Sequence, residues 1–181
     1  VFISYLRVHG GDQWPDRAKS ALKQIVVAVP ASEVTERAES LMMRLNRPTN
    51  LAPRGVGSSP DGLDKDGAAG GDQAAIDGDP ATYWDEVNGK KLYRYRVTFP
   101  EAIRVSSLSI MGYQHHSFAP KDFDILCGGK LVKSVREAVY RDNLLMVTFP
   151  PTSCRTVELK ITGRYGPSPA IRELEIYAAR D

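Results

Sequence analysis

From residue 93 to residue 176, apolar side chains recur at every second position in short separate runs. These are Tyr93, Tyr95, Val97 and Phe99; Val105, then Leu108 and Ile110 after a slip; Phe123 and Ile125; Val157, Leu159 and Ile161; and Leu174 and Ile176. Successive strand side chains point to opposite faces, so a period of two marks strands with one buried face. The intervening segments carry Pro100, Gly128-Gly129, Pro150-Pro151 and a Gly- and Pro-rich stretch at 163–169. None has the length or periodicity of a crossover helix, which disfavours parallel pairing and makes an antiparallel sandwich the expected architecture.

Upstream the periodicity changes. After Trp14-Pro15, Ala18, Leu22, Ile25 and Val29 recur at helical spacing, with Pro15 suited to a first turn that needs no amide hydrogen. Pro30 ends that helix. Ser32 is a plausible cap for a second one, with Val34, Ala38, Leu41 and Leu45 as its stripe and Glu33 and Glu36 in its first turn. A short α-helical hairpin over 1–48 is expected, preceding a β-rich module over 49–181. Two stripes bury too little to stand alone, so the hairpin reads as the tail of a preceding domain or a linker. Residues 46–72, rich in Pro, Gly, Ser and Asp, read as a linker leading into a long loop. The first eight residues show no signal peptide and the chain begins at Val, so it reads as a piece of a longer protein.

The 181 residues suit one domain plus some surplus, and 42% apolar and 25% charged residues suit a globular core. A net charge of +2 gives no global reason to expect nucleic acid. The longest apolar stretch, 25–30, is far short of the roughly 20 residues of a membrane span. Cys127 and Cys154 are too few for a disulfide scaffold and lack zinc spacing. Cys127 reads as a small buried hydrophobe, with pairing to Cys154 left open. No Gly-x-Ser-x-Gly elbow, phosphate-cradling loop or His-Glu-x-x-His pair is present, which argues against an enzyme.

The loop Ala74-Ala75-Ile76-Asp77-Gly78-Asp79-Pro80-Ala81-Thr82-Tyr83-Trp84 offers carboxylates, a hydroxyl and carbonyls of the kind a hard cation takes. Its spacing alone favours a plain Asp-Gly turn. The acidic residues Asp61, Asp64, Asp66 and Asp72 miss the EF-hand pattern and read as a solvated loop. Trp84, Tyr93 and Tyr95 read as packing residues rather than platforms.

Taken with the tail at 162–177, with Asn50-Leu51-Ala52 and with Ala119-Pro120-Lys121-Asp122-Phe123, that loop resembles the coagulation factor V/VIII type C, or discoidin, superfamily. The likeness is greatest to the family 32 carbohydrate-binding modules and spans residues 50–178. It implies an all-β, galactose-binding-domain-like jelly roll without catalytic activity, found in extracellular or periplasmic proteins and often attached to a glycoside hydrolase. The partners it implies are a glycan or polysaccharide and an adjacent domain of the parent protein. It also implies a structural calcium. By position, the ion would be held by the carbonyls of Ala74, Asp79 and Arg172, the carboxylates of Asp77 and Glu173, and the carbonyl and hydroxyl of Thr82.

Such modules bind sugars at loops on one end, through an aromatic face and planar polar side chains. The candidate loops are 113–118, 85–91, 140–143 and 164–165. The expected polar centre is His115 or His116 with Arg141, and the stacking ring Tyr165 or Tyr113. Galactose-binding members often carry Arg and Asn where this chain reads Gln114-His115-His116-Ser117. Adjacent histidines on extended backbone point to opposite faces, so one of the two is expected in solvent. The rival reading is a protein-interaction or adhesion module on the same sandwich. A lipid-binding reading has only Phe118 to offer.

Overall fold

A straight strand of 20 residues would span about 65 Å, roughly twice the width of a domain of this size. Two strands of the computed structural model reach that length, β3 (Tyr93–Gly112) and β6 (Leu144–Arg164), and both bend. The model describes residues 14–28, 38, 42, 49–60, 71–79, 81–114 and 116–179. The chain divides into two compact units, Val1–Arg47 and Pro48–Asp181.

In the first unit, α1 (Trp14–Ala28) starts with Pro15 in its first turn, buries Ala18 and Leu22, and half-buries Ile25. Of the second expected helix, Ala38 and Met42 are described and are helical. The remainder of that stripe, Val29 and the first eight residues lie outside the described residues.

The second unit is an antiparallel sandwich. Besides β3 and β6 it contains β1 (Val56–Ser58), β2 (Trp84–Asp85), β4 (Pro120–Cys127), β5 (Lys130–Val135) and β7 (Ala170–Ala178). The β3–β6 ladder breaks between Thr98 and Ile103, where Pro100 sits, and again between Val105 and Ser107, the slip visible in the sequence. On β6 the break coincides with Pro150-Pro151, which can donate no ladder hydrogen bond. Before the bend, β3 pairs with β1 and with 156–161 of β6, and β4 and β5 extend that layer. Beyond it, β3 pairs with 144–154 of β6 and with β7, and β2 closes the second layer. The buried residues between the layers are the alternating ones, from Tyr93, Tyr95, Val97 and Phe99 through Leu108 and Ile110 to Leu174 and Ile176. Trp84 is fully buried against Tyr95, as a packing residue should be.

One feature differs from expectation, and a second settles a pairing left open. Residues 50–58 are not linker: the Asn50 carboxamide oxygen accepts from the amides of Ala52 and Ile176, both at 3.0 Å, and the Leu51 amide donates to Ile176 at 2.7 Å. A side chain bonding to backbone leaves no periodic trace. The second is Cys127, buried as expected but disulfide-bonded to Cys154, Cα–Cα 5.5 Å. The bridge ties the end of β4 to β6 beside the bend, where Gly128 also donates to Thr156 and Arg155 donates to Pro100.

Replacing both cysteines with Ala is expected to lower the unfolding free energy by about 2–4 kcal/mol, read from urea titrations. Asn50→Ala leaves two amides without acceptors and should cost about 1–3 kcal/mol, while Asn50→Asp, which keeps the oxygen, recovers most of that loss.

Candidate functional site

Opposite the bend, the β3–β4 loop crosses from one layer to the other and is stitched to its neighbours by backbone bonds. Phe118 accepts from Ala170 at 2.8 Å, Ala119 from Tyr165 at 3.2 Å and Lys121 from Ala138 at 2.9 Å. Arg141 and Leu144 exchange reciprocal 2.9 Å bonds that close a turn, and Asn143 donates from Nδ2 to Gly112 at 2.7 Å. All five non-glycine residues with positive φ among those described lie here: Gln114, His116, Glu137, Asp142 and Asn143. Asp142 and Asn143 tolerate this region, but at Gln114, His116 and Glu137 it costs about 1–2 kcal/mol each, so this end holds part of its backbone against local preference.

The loops bring His116 and Tyr165 together. The His116 imidazole stacks on the buried Tyr140 ring, centroids 5.7 Å apart and planes within 8°, and the Tyr165 ring meets it edge-on at 5.6 Å. Both tyrosines are pinned by their hydroxyls, Tyr140 donating to Pro120 at 2.9 Å and Tyr165 to Ala138 at 2.6 Å. Tyr165 nevertheless remains 43% exposed. Lys121 Nζ stands 5.9 Å from its ring centroid and pairs with Glu137 at 2.8 Å. That carboxylate holds the ammonium above the usual lysine range. Arg141 is exposed on the adjoining turn. Tyr113 lies apart, with Tyr83 stacked on it at 4.0 Å and Arg172 Cζ 5.6 Å from its centroid. Tyr165 is thus the ring with open surface. His115 lies outside the described residues.

Sequence reasoning missed Tyr140, Lys121 and Tyr83 as supports. Tyr140 stood in a candidate loop, but nothing in the sequence set it beneath a histidine. Residues in two other candidate loops are tied down: Asp85 and Glu86 are buried, and Arg164 lies over the Tyr93 ring and donates to Pro167 at 2.8 Å.

The Asp-Gly loop forms the second feature of this unit. A 3-10 turn at Asp72–Ala75 is anchored by the buried Tyr95 hydroxyl donating to Asp72 at 2.7 Å. Gly78, φ +80°, lets the chain fold back so that Asp77 accepts from the Asp79 amide. The Thr82 hydroxyl then sits 2.8 Å from an Asp77 carboxylate oxygen, 3.0 Å from the Asp79 carbonyl and 3.3 Å from the Ala74 carbonyl. One hydroxyl hydrogen faces three acceptors. Across from them, Glu173 on β7 is buried, and its Oε1 has no hydrogen-bond partner. Burial, with Asp77 adding, pushes its carboxyl up to about 8, against the Gly78 amide. Arg172 precedes it, its guanidinium turned to Tyr113, so any share in this cluster falls to its carbonyl. Among the described residues no three His, Cys, Asp or Glu side chains gather as a metal cluster. The donor set is two carboxylates with carbonyls and a hydroxyl, an excess of hard oxygen acceptors over hydrogens that fits a calcium-like cation.

No protein-family model and no curated protein matches the chain. Solved structures do match in fold. The module CpGH89CBM32-5 from Clostridium perfringens, in complex with GalNAc-β-1,3-galactose, superposes with a TM-score of 0.61 at 15% identity, over 72% of this chain and 100% of that one. Chitosan-binding module 2 from the chitosanase/glucanase of Paenibacillus sp. IK-5, in complex with chitotriose, gives 0.62 at 18%, over 71% and 100%. The family 32 module of C. perfringens NanJ, in complex with galactose, gives 0.58 at 20%, over 71% and 97%. The chain therefore contains the sandwich fold of the family 32 carbohydrate-binding modules.

Proposed function

We propose that the β-rich unit is a non-catalytic carbohydrate-binding module that holds a structural calcium and targets an attached extracellular or periplasmic enzyme, a glycoside hydrolase, to glycans. The observation that carries this reading is the exposed Tyr165 ring, fixed by its hydroxyl and by His116 on a loop end held in strained conformations. A ring so placed offers a flat apolar face to a sugar, and His116 and Arg141 offer planar groups for its hydroxyls. Pinned side chains lose little further freedom on binding, which suits a shallow site. The module raises the local concentration of substrate for the enzyme beside it. The disulfide supports an oxidising compartment. Among the described residues no helix is long and apolar enough to cross a membrane.

The ion would be held by the carboxylates of Asp77 and Glu173, the Thr82 hydroxyl and carbonyl, and the carbonyls of Ala74, Asp79 and Arg172. It supplies positive charge where two carboxylates meet, fastening the loop before β2 to the last strand.

Titration with galactose and with chitotriose tests the sugar site. Tyr165→Ala is expected to weaken binding about tenfold, equivalent to about 1.4 kcal/mol of stacking. Arg141→Ala should weaken it without lowering the melting temperature, while His116→Ala should weaken it and also lower the melting temperature slightly by removing the ring stacked on Tyr140. A fold intact in calorimetry that binds neither these sugars nor any member of a glycan array overturns the reading.

The ion is tested by pH and chelation. In chelator, Glu173 titrates near 8 in the folded chain but near 4.5 unfolded. Its contribution to stability is therefore complete below about 4.5 and is lost as pH rises towards 8. The melting temperature in chelator should fall across that window, and calcium should restore it most at the alkaline end. Glu173→Gln should abolish the fall, and Asp77→Ala should abolish the calcium response. A wild-type melting curve at pH 8 indifferent to chelator overturns the calcium assignment.

A further inference from the structure

We propose that Tyr83 and Arg172 are positioning residues that couple the cation loop to the recognition loop, so that cation occupancy sets the placement of Tyr113 and, through it, of His116. The inference rests on the calcium reading above. Each of the two is bonded to a candidate ligand, Tyr83 following Thr82 and Arg172 preceding Glu173. Both close on one ring: Tyr83 stacks on Tyr113 at 4.0 Å with planes 20° apart, and the Arg172 guanidinium carbon stands 5.6 Å from its centroid.

The sheet dictates this meeting. β2 pairs with β7 at Trp84 and Ile171, and β7 pairs with β3 at Ile171 and Gly112. Tyr83 and Arg172 thus each adjoin one residue of that pairing row, and Tyr113 adjoins the third. The β3–β7 register slips between Met111 and Gly112, so Tyr113 leaves the ladder at an irregular point.

Gly112 is the junction to the sugar side. Its amide donates to the Asn143 carbonyl at 3.2 Å and its carbonyl accepts from Asn143 Nδ2 at 2.7 Å. A β-carbon added there would lie 2.8 Å from His116 Cα and 2.9 Å from Asn143 Oδ1. With no free volume at this point, a displacement of Tyr113 is passed to His116 and to the turn carrying Arg141 rather than absorbed. Tyr113 also reaches Phe118, at 5.9 Å, on the far side of the same loop. Without a cation, a single Thr82 hydrogen serves the acceptors around it. With one, the residues bonded to Tyr83 and Arg172 are drawn to a common centre. Coupling of this kind is reciprocal, so a sugar seated at His116 strengthens cation binding by the same factor.

The test uses calcium alone as the probe on the full chain, with tyrosine rings and histidine imidazoles observed by NMR. Calcium added to chelator-treated protein is expected to shift the Tyr113 and His116 resonances in step with binding measured by calorimetry. Tyr83→Leu, and Arg172→Met, which changes the side chain and keeps the backbone carbonyl assigned to the ion, should still bind calcium but lose the His116 shift. Tyr83→Phe, which keeps the stacked ring, should retain it. If Tyr83→Leu fails to fold, Arg172→Met carries the same reading. Calcium that binds and raises the melting temperature while both resonances stay in place overturns the coupling and leaves the ion site standing. A His116 shift retained in both variants overturns the path through Tyr83 and Arg172. Absence of any calcium binding removes the ion site and the coupling together.

Discussion

The rest of the sandwich depends on β3 and β6 being too long for one layer. Each runs the depth of one layer, turns where prolines already interrupt the ladder, and returns through the other. The ladder that joins them therefore spans both layers. Both ends of each strand also return to the same end of the domain. Gly112 meets Asn143 and Ile171 there, while Arg164 lies over Tyr93 and Tyr165 bonds to Ala119. The loops that gather at this end do so because of the bend at the other.

Those two ends are built differently. The bend is fastened covalently by Cys127–Cys154 and by backbone bonds such as Gly128 to Thr156. The loop end has no such tie among the described residues. It is held by hydroxyl groups reaching carbonyls, as in Tyr140 to Pro120 and Tyr165 to Ala138, and by the Asp122 carboxylate on the Glu137 amide. The left-handed residues there persist because these bonds over-determine them. Rings fixed in this way present a face without first having to be ordered.

The strand runs at 93–99, 105–110, 123–125, 157–161 and 174–176 were legible because burial repeats along the chain, and the break at Val105–Leu108 was readable as a slip, whereas the first part of β6, which buries Val147 and Phe149, was not read as a strand. Trp84, Tyr93 and Tyr95 were likewise placed correctly in the core. β1 and β5 were not legible, β1 being three residues long and β5 an edge strand with Lys130, Leu131, Lys133 and Ser134 exposed. Asn50 carries no periodic signal of its own, since its effect lies in one carboxamide bonding an amide 126 residues away. At the loop end the candidate residues were named one by one, but which of them share a surface depended on ring stacking. His116 over Tyr140 and Tyr83 over Tyr113 join segments far apart in sequence, and no local pattern encodes them.

Glu173 sets the Asp-Gly loop apart from a plain turn. An Asp-Gly turn needs its own amides satisfied, and Asp77 and Asp79 already accept from the amides of Asp79 and Ala81. It has no use for a buried carboxylate arriving from the last strand. Burial and the neighbouring Asp77 carboxylate hold the Glu173 carboxyl up to about 8, so its charged form is disfavoured there unless positive charge is supplied. The loop also turns the Ala74 and Asp79 carbonyls towards the same Thr82 hydroxyl that meets Asp77, adding negative partial charge beside two carboxyl groups. Acceptors therefore outnumber hydrogens at this place, and it is on that excess that the calcium proposal rests.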